Sequence, residues 1–155
     1  MMEYQRGEYV ISNDPSRLDL DTIHHFLSRE SYWAKGVPFD IVQRSVQASL
    51  CFGMYHKGDG GEVQAGFARV ISDYATQAVL VDVFVLPDYR GQGLGKWMLD
   101  CIFAHPDLQG LRLWRLSTRD AHSLYARYGF TPVAQPDKMM ERLRPYLEPA
   151  DETQS

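Results

Sequence analysis

The sequence predicts a single α/β domain, with layers of the α+β type and a mixed, mostly antiparallel sheet flanked by helices. Its 155 residues are enough for one domain with a sizeable core. Short apolar runs separated by turn signals, of which residues 57–61 are the clearest, predict antiparallel strands. A strand, a helix and another strand follow within residues 79–117, and this order predicts a parallel pair joined by a crossover.

The first half of the chain is predicted to contain a short strand, two helices and three longer strands. Residues 9–12 form the short strand, which a break at Pro15 separates from the first helix. Apolar residues at helical spacing place that helix from Leu20 and the second around Val42. A loop at residues 31–38 lies between them. The longer strands are expected at residues 50–55, 63–71 and 78–86.

The second half is predicted to hold two helices and three strands. An apolar stripe at i, i+3, i+4, i+7 and i+8 predicts a helix over residues 94–104, and Pro106 ends it. A strand follows at residues 111–117. A short last helix is expected to end before Gly129, which occupies the position typical of a C′ glycine. Residues 131–134 and 139–143 are expected to form a closing pair of strands. The domain would span residues 1–147, with a loose polar tail at 148–155.

Composition excludes several classes of function. The formal net charge of −4 argues against a general nucleic-acid binder. No apolar run is long enough to cross a membrane, and the first residues lack the apolar stretch of a signal peptide, so the cytoplasm is the expected location. Cys51 and Cys101 lie in apolar runs and are interpreted as reduced core residues. No Cys/His cluster has metal-binding spacing, so no metal is expected.

A glycine-rich turn joins the strand at residues 78–86 to the following helix. The N–H groups of such a turn, together with the positive end of the helix dipole, can bind a pyrophosphate. A Walker-type loop is excluded because Trp97 follows Lys96, where Ser or Thr is required. A dinucleotide-binding fingerprint fails because its third glycine falls on Met98. The pattern that is met is Arg-x-x-Gly-x-Gly, although a plain tight connection would also use glycine.

This pattern, at Arg90, Gly93 and Gly95, resembles the coenzyme A-binding motif of the GNAT superfamily of N-acyltransferases. Residues 121–130 resemble the same family's Ala-x-x-Leu-Tyr-x-x-x-Gly-Phe segment, with Tyr125 at the tyrosine. The motifs occur in the expected order, and the resemblance covers residues 79–130. It implies a GNAT-like fold in which the central parallel pair is splayed apart through a bulge, and an acetyl-CoA-dependent N-acetyltransferase without a metal.

The resemblance also implies which residues bind the coenzyme. The strand backbone would contact the pantetheine arm and the thioester, and the turn would hold the pyrophosphate. Thr118 stands where the family often has an asparagine that touches the coenzyme, and its hydroxyl could serve instead. Lys96 could equally be a solvated surface base. The predicted set is Val83, Phe84, Val85, Arg90, Gly91, Gln92, Gly93, Leu94, Gly95, Lys96 and Thr118.

Two residues are the catalytic candidates. Tyr125 matches the family tyrosine that often protonates the departing thiolate, although its place on an apolar helix stripe is also typical of core. Asp82 is a lone carboxylate inside an apolar strand, where a charge needs a partner. It could receive the amine proton through water, hold the ammonium, or be a structural acid paired with Arg69 or Arg115.

The predicted reaction is direct transfer of an acetyl group from acetyl-CoA to a primary amine, without an acyl-enzyme on cysteine. Tyr32 and Trp33 could form an aromatic wall for a small-molecule or peptide amine. A homodimer is compatible with the sequence. The competing hypothesis is a non-catalytic acyl-CoA-binding module that acts as a sensor, in which the turn binds coenzyme and Tyr125 has no chemical task. Release of free thiol in the presence of amines distinguishes the two.

Overall fold

A computed structural model describes residues 1–147, and the predicted polar tail at 148–155 lies outside the described residues. The described chain forms a single α/β domain around a six-stranded sheet whose strands lie side by side in chain order. Neighbouring strands are antiparallel except the last two, which are parallel, so the predicted mixed sheet is confirmed. The strands are β1 (Glu3–Arg6), β2 (Tyr9–Ser12), β3 (Leu50–Gly58), β4 (Gly61–Ser72), β5 (Gln77–Val85) and β6 (Leu113–Leu116).

Helices cover both faces of the sheet. They are α1 (Leu20–His25), α2 (Phe39–Gln47), α3 (Leu94–Phe103) and α4 (His122–Ala126). On one face, α1 and α2 pack against Phe67 and Phe84 of the central strands. On the other face, α3 and α4 pack around Met98 and Ile102, which are fully buried. Burying a side chain of this size stabilises the fold by about 1.5–3 kcal/mol.

The segment between α1 and α2 is held in place by local hydrogen bonds. Asp19 caps α1 by accepting from the N–H of Thr22 at 3.2 Å. A π-helical turn, Phe26–Glu30, extends α1 up to Ser31. The buried Ser31 hydroxyl donates to the carbonyl of Leu27 at 2.6 Å and accepts from the N–H of Ala34 at 3.1 Å. These bonds fix the loop that carries the two aromatic residues after Ser31.

Two parts of the fold differ from the prediction. β1 was not predicted because its residues are mostly polar; the signal was Gly7, whose φ of +56° makes the hairpin turn to β2. The prediction of closing strands at residues 131–134 and 139–143 is wrong. That segment forms no strand, and the outer edge of β6 has no strand partner among residues 1–147. Pro132 and Pro136 lack the N–H that a ladder requires, and Met140 is 98% exposed rather than packed.

Candidate active site

β5 and β6 diverge in the middle of the sheet. They pair from Gln77 and Leu113 up to Leu80 and Leu116, where β6 ends. β5 continues without that partner to Val85. The two strands therefore leave an opening between them, and the splayed parallel pair implied by the resemblance is present.

A bulge in β5 lies at this divergence. Val81 lies opposite Arg69 of β4 and Phe84 lies opposite Phe67, so three steps along β5 span two steps along β4. The extra residue places Asp82 at φ +56°, in the left-handed region that Asp tolerates better than most residues. A bulge bends its strand and redirects a side chain, and here it turns β5 away from β6.

Side chains from distant parts of the chain hold the Asp82 carboxylate. Oδ1 accepts a hydrogen bond from Nε1 of Trp33 at 2.9 Å, and Oδ2 accepts from Nε of Arg69 at 2.9 Å. Arg69 also donates to the hydroxyl of Ser49 at 3.1 Å. The Arg69 and Asp82 side chains are 15% and 11% exposed, so this is a largely buried ion pair. The structural pairing with Arg69 is confirmed, and each carboxylate oxygen keeps a lone pair for a further donor.

A cleft of about 580 Å³ fills the opening between β5 and β6. It brings together many of the residues predicted from the sequence. Its walls are Tyr32, Trp33, residues 79–83, residues 117–121 and Tyr125. Asp82, Val83, Thr118 and Tyr125 therefore meet in one place although 43 positions separate the first from the last. Concave sites of this size, mostly apolar with a few converging polar groups, are typical of small-molecule binding.

Tyr125 of α4 is buried but its hydroxyl is free. Its ring meets Phe130 edge to face with the centroids 6.0 Å apart. The hydroxyl forms no hydrogen bond with another part of the described chain, and its oxygen is open to the cleft. Burial is the main cause that raises the pKa of Tyr125, and nearby Tyr32 adds to it. The phenol therefore stays protonated at neutral pH and can donate a proton into the cleft.

Two loops meet across the mouth of the cleft. The hydroxyl of Tyr32 accepts from the N–H of Arg119 at 3.1 Å, and the Arg119 guanidinium lies 4.0 Å from the Tyr32 ring centroid. Thr118, beside Arg119, accepts from the N–H of Ala121 at 3.0 Å and so fixes the approach to α4. The sequence did not point to Arg119, because an exposed arginine beside a motif carries no distinguishing signal.

The glycine turn follows the end of β5. Gly91 and Gly93 have φ of +82° and +76°, which other residues rarely adopt, so the turn requires them. The first backbone bond within α3 runs from the N–H of Trp97 to the carbonyl of Gly93. In the described chain, the N–H groups of residues 91–96 bind no backbone or side-chain acceptor. They form a row of unused donors at a helix N-terminus, which is the arrangement that binds phosphate.

The side chains around the turn brace it. Arg90 donates from Nε to the carbonyl of Val85 at 2.8 Å, which ties the turn to the end of β5. Gln92 donates to the carbonyl of Tyr89 at 3.3 Å. Gly95 has ordinary helical backbone, and among the described residues a Cβ there would meet only Val85, at 3.7 Å. Within residues 1–147 no atom therefore requires glycine at position 95, whereas a group bound on the open side would.

Backbone groups of β5 link the turn to the cleft. The N–H of Leu86 donates to the carbonyl of Ala65 on the β4 side at 2.8 Å. Successive N–H groups alternate between the two edges of an extended strand. Those of Val85 and Val83 therefore point to the edge of β5 that no longer pairs with β6. The N–H of Phe84 points toward β4. Its ring stacks on the ring of Phe26, with the centroids 4.0 Å apart, on the sheet face that α1 and α2 cover. Val83 and Val85 thus have the geometry to bind an extended ligand.

Residues 1–147 contain no group of three or more His, Cys, Asp and Glu side chains arranged to hold a metal ion. None of the helices in this range has the length and apolar character needed to cross a bilayer.

Comparison with known proteins points to one family. Residues 47–132, more than half of the chain, match the family model described as the acetyltransferase (GNAT) domain. A protein from Gibberella zeae whose name assigns it to the acetyltransferases is 35% identical over 142 residues, covering 80% of this chain and 79% of that protein.

Solved structures agree with these matches. A GNAT-family protein from Xanthomonas campestris pv. campestris is 53% identical, covers 92% of this chain and 98% of its own, and superposes with a TM-score of 0.85. A Clostridium acetobutylicum acetyltransferase solved with acetyl-CoA is 15% identical, covers 87% of this chain and 94% of its own, and has a TM-score of 0.60. At that identity the second likeness concerns the fold alone.

Proposed function

Because the chain belongs to the GNAT acetyltransferase family, we propose that it transfers an acetyl group from acetyl-CoA directly to the nitrogen of a primary amine. The observation that carries this proposal is the continuity of β5. The strand leads from the unused N–H groups of residues 91–96 to a cleft that holds the free hydroxyl of Tyr125. One bound thioester of extended shape can reach both.

The turn and the strand fit coenzyme A. The N–H groups of residues 91–96 would hold the pyrophosphate, and the open space at Gly95 lets it approach the backbone. The outward N–H groups of Val85 and Val83 would hold the pantetheine arm. The Thr118 hydroxyl lines the far side of the cleft and is available to the same arm. The acetyl thioester supplies the activated acyl carbon.

Tyr125 supplies one of the two proton transfers, and water in the cleft supplies the other. The neutral amine nitrogen attacks the carbonyl carbon, the carbon–sulfur bond breaks, and Tyr125 gives its proton to the departing sulfur. The surplus proton of the nitrogen passes to water, from which Tyr125 regains a proton. Burial keeps the pKa of Tyr125 above its usual value, which preserves that proton. We assign Asp82 to holding the amine through an N–H···O contact, because each of its oxygens keeps a lone pair. Tyr32 and Trp33 wall the same space.

The test replaces Tyr125 with phenylalanine. Loss of a general acid typically slows turnover by about 10²–10⁴-fold, so Tyr125→Phe should lower kcat by about 10²-fold or more with acetyl-CoA affinity unchanged. Thiol release with a panel of primary amines measures kcat, and calorimetry measures affinity.

Tyr55→Phe is the matched control. Tyr55 is also buried, its hydroxyl also has no hydrogen-bond partner among residues 1–147, and it does not line the cleft. Full turnover in Tyr125→Phe would remove Tyr125 as the acid. Tight acetyl-CoA binding with no thiol release for any amine would instead favour the sensor hypothesis.

A further inference from the structure

A second, smaller cavity lies behind Asp82. Its volume is about 180 Å³, and it shares Trp33, Val81 and Asp82 with the main cleft. The two spaces are therefore neighbours, with the Asp82 carboxylate in the wall of each. An amine that binds Asp82 from the smaller cavity would place its substituent there.

The walls of this cavity are mainly apolar. Leu27, Val37, Ile41 and Val42 contribute side chains, and the Arg69–Asp82 ion pair forms its polar end. A dry cavity of about 150 Å³ is large enough to hold a benzene ring. The cavity behind Asp82 thus matches an apolar group of one ring, and it is smaller than the roughly 300–1,000 Å³ typical of drug-sized ligands.

The loop side of the cavity is rigidly built. His24 makes a hydrogen bond through Nε2 with the carbonyl of Val37 at 2.9 Å. The N–H of Gly36 donates to the carbonyl of Ser28 at 2.9 Å, and that of Val37 to the carbonyl of Ala34 at 3.1 Å. These bonds hold the loop against α1 and its π-helical extension. A shift of the loop to admit a larger group would have to break them.

The remaining wall comes from residues 139–147, here called the carboxyl-terminal segment. Tyr146 lines the cavity, although it lies 64 positions after Asp82. The next residue, Leu147, packs on Gly36 so closely that a Cβ on Gly36 would lie 2.4 Å from Leu147 Cγ. The segment therefore contacts the rest of the domain at two successive residues, although Tyr146 and Leu147 are 50% and 58% exposed. It reaches this place without strand or helix hydrogen bonds, which leaves the contact dependent on side chains.

We propose that Tyr146 is a specificity-determining residue, which closes the cavity behind Asp82 and limits the acceptor to primary amines whose substituent is about one ring in size. This inference rests on the proposed acetyl transfer for its biological meaning. The contact itself concerns binding and can be measured without turnover.

The experiment compares two amines of different size. Benzylamine and 2-naphthylmethylamine are titrated calorimetrically into the full-length protein saturated with coenzyme A. A pocket that rejects an extra group discriminates by roughly 10–200-fold, so the wild-type protein should bind benzylamine at least about tenfold more tightly. Tyr146→Ala should raise the affinity for 2-naphthylmethylamine by about tenfold and leave that for benzylamine within about threefold.

Leu143→Ala is the matched control, because Leu143 belongs to the same segment, is 80% exposed and does not line the cavity. It should keep the wild-type discrimination. The same affinity ratio in Tyr146→Ala as in the wild type overturns the proposal, and so does a wild-type protein that binds neither amine. In the latter case, thiol release with another amine would leave the proposed acetyl transfer standing.

A second measurement tests directly whether Tyr146 covers the smaller cavity. Trp33 lines the cavity, so acrylamide should quench its fluorescence more strongly in Tyr146→Ala than in the wild type or in Leu143→Ala. The Trp33→Phe form of each protein identifies the Trp33 contribution. Equal quenching in all three overturns the covering role of Tyr146.

Discussion

The glycine turn after β5 and the bulge within β5 are built in opposite ways. The turn is a continuous, mostly exposed run whose useful groups are backbone N–H donors. The bulge presents a side chain, Asp82, that is largely buried and held by Trp33 and Arg69 from other elements. The bulge lies within β5 and the turn follows the end of that strand, and both serve the same proposed reaction.

The difference indicates how the two halves of the site can vary. Backbone donors are present whatever the side chains are, so a coenzyme site made from them needs only its glycines. A side-chain site depends on each partner, and changing one leaves a buried charge unpaired. We therefore expect changes at the bulge to affect folding first and changes at the turn to affect coenzyme binding first.

The largest effect is expected for Arg69→Met. Removing one partner of a buried ion pair costs about 3–5 kcal/mol, and the slight exposure of this pair favours the lower end, so the free energy of unfolding should fall by about 3 kcal/mol. The affinity of the folded protein for acetyl-CoA should change by less than about threefold, because the turn is untouched. Urea unfolding and calorimetry measure the two quantities.

Arg115→Met is the control for that prediction. Arg115 is the other arginine that could have paired with Asp82, and it is exposed on β6. Its replacement should leave the free energy of unfolding within about 0.5 kcal/mol of the wild type. A parallel loss of acetyl-CoA affinity in Arg69→Met would break the distinction between the two regions.

Replacing either of two glycines in the turn is expected to change the free energy of unfolding by a smaller amount, with opposite signs at the two positions. Gly93→Ala places a Cβ at φ +76° and should lower the free energy of unfolding by about 1 kcal/mol. Gly95→Ala has helical backbone, and its Cβ would make an ordinary contact with Val85, so it should raise the free energy of unfolding by about 0.4–1 kcal/mol. Both should weaken acetyl-CoA binding by about tenfold, since a Cβ would crowd the pyrophosphate.

The Gly95→Ala variant is the sharper of the two, because a more stable protein that binds coenzyme less tightly excludes general damage. Thermal unfolding gives the stability, and calorimetry gives the affinity. Unchanged acetyl-CoA affinity in Gly95→Ala would place the pyrophosphate elsewhere than on the open side of this turn.

The smallest effect is expected from pH. Burial raises the pKa of Tyr125 above its usual value, so the phenol keeps its proton at the neutral and mildly alkaline pH at which the acceptor amine begins to lose one. The kcat–pH profile should therefore rise with amine deprotonation and show no fall up to about pH 9. A decline between pH 8 and 9 in an otherwise stable protein would contradict Tyr125 as the acid.

Local patterns predicted most of the fold. The family inferred from the two motifs is confirmed, as are the helices from Leu20, around Val42 and from Leu94. Strand boundaries differed by up to three residues, because side-chain periodicity does not mark where pairing stops. The prediction of closing strands was wrong because apolar side chains at residues 139–143 indicate a buried strand only if a partner strand is available. The described chain provides no such partner.

The amino-acid order alone determined the glycine turn. Its glycines, its helix start and its free N–H groups are all contained within residues 90–96, where neighbours in sequence are neighbours in space. The proposed acceptor side depended on the folded arrangement. The bulge at Asp82, its contacts with Trp33 and Arg69, and the place of Tyr146 in the wall of the smaller cavity join residues up to 113 positions apart. No local pattern specifies such contacts, because they form only when the sheet, the first two helices and the carboxyl-terminal segment pack together.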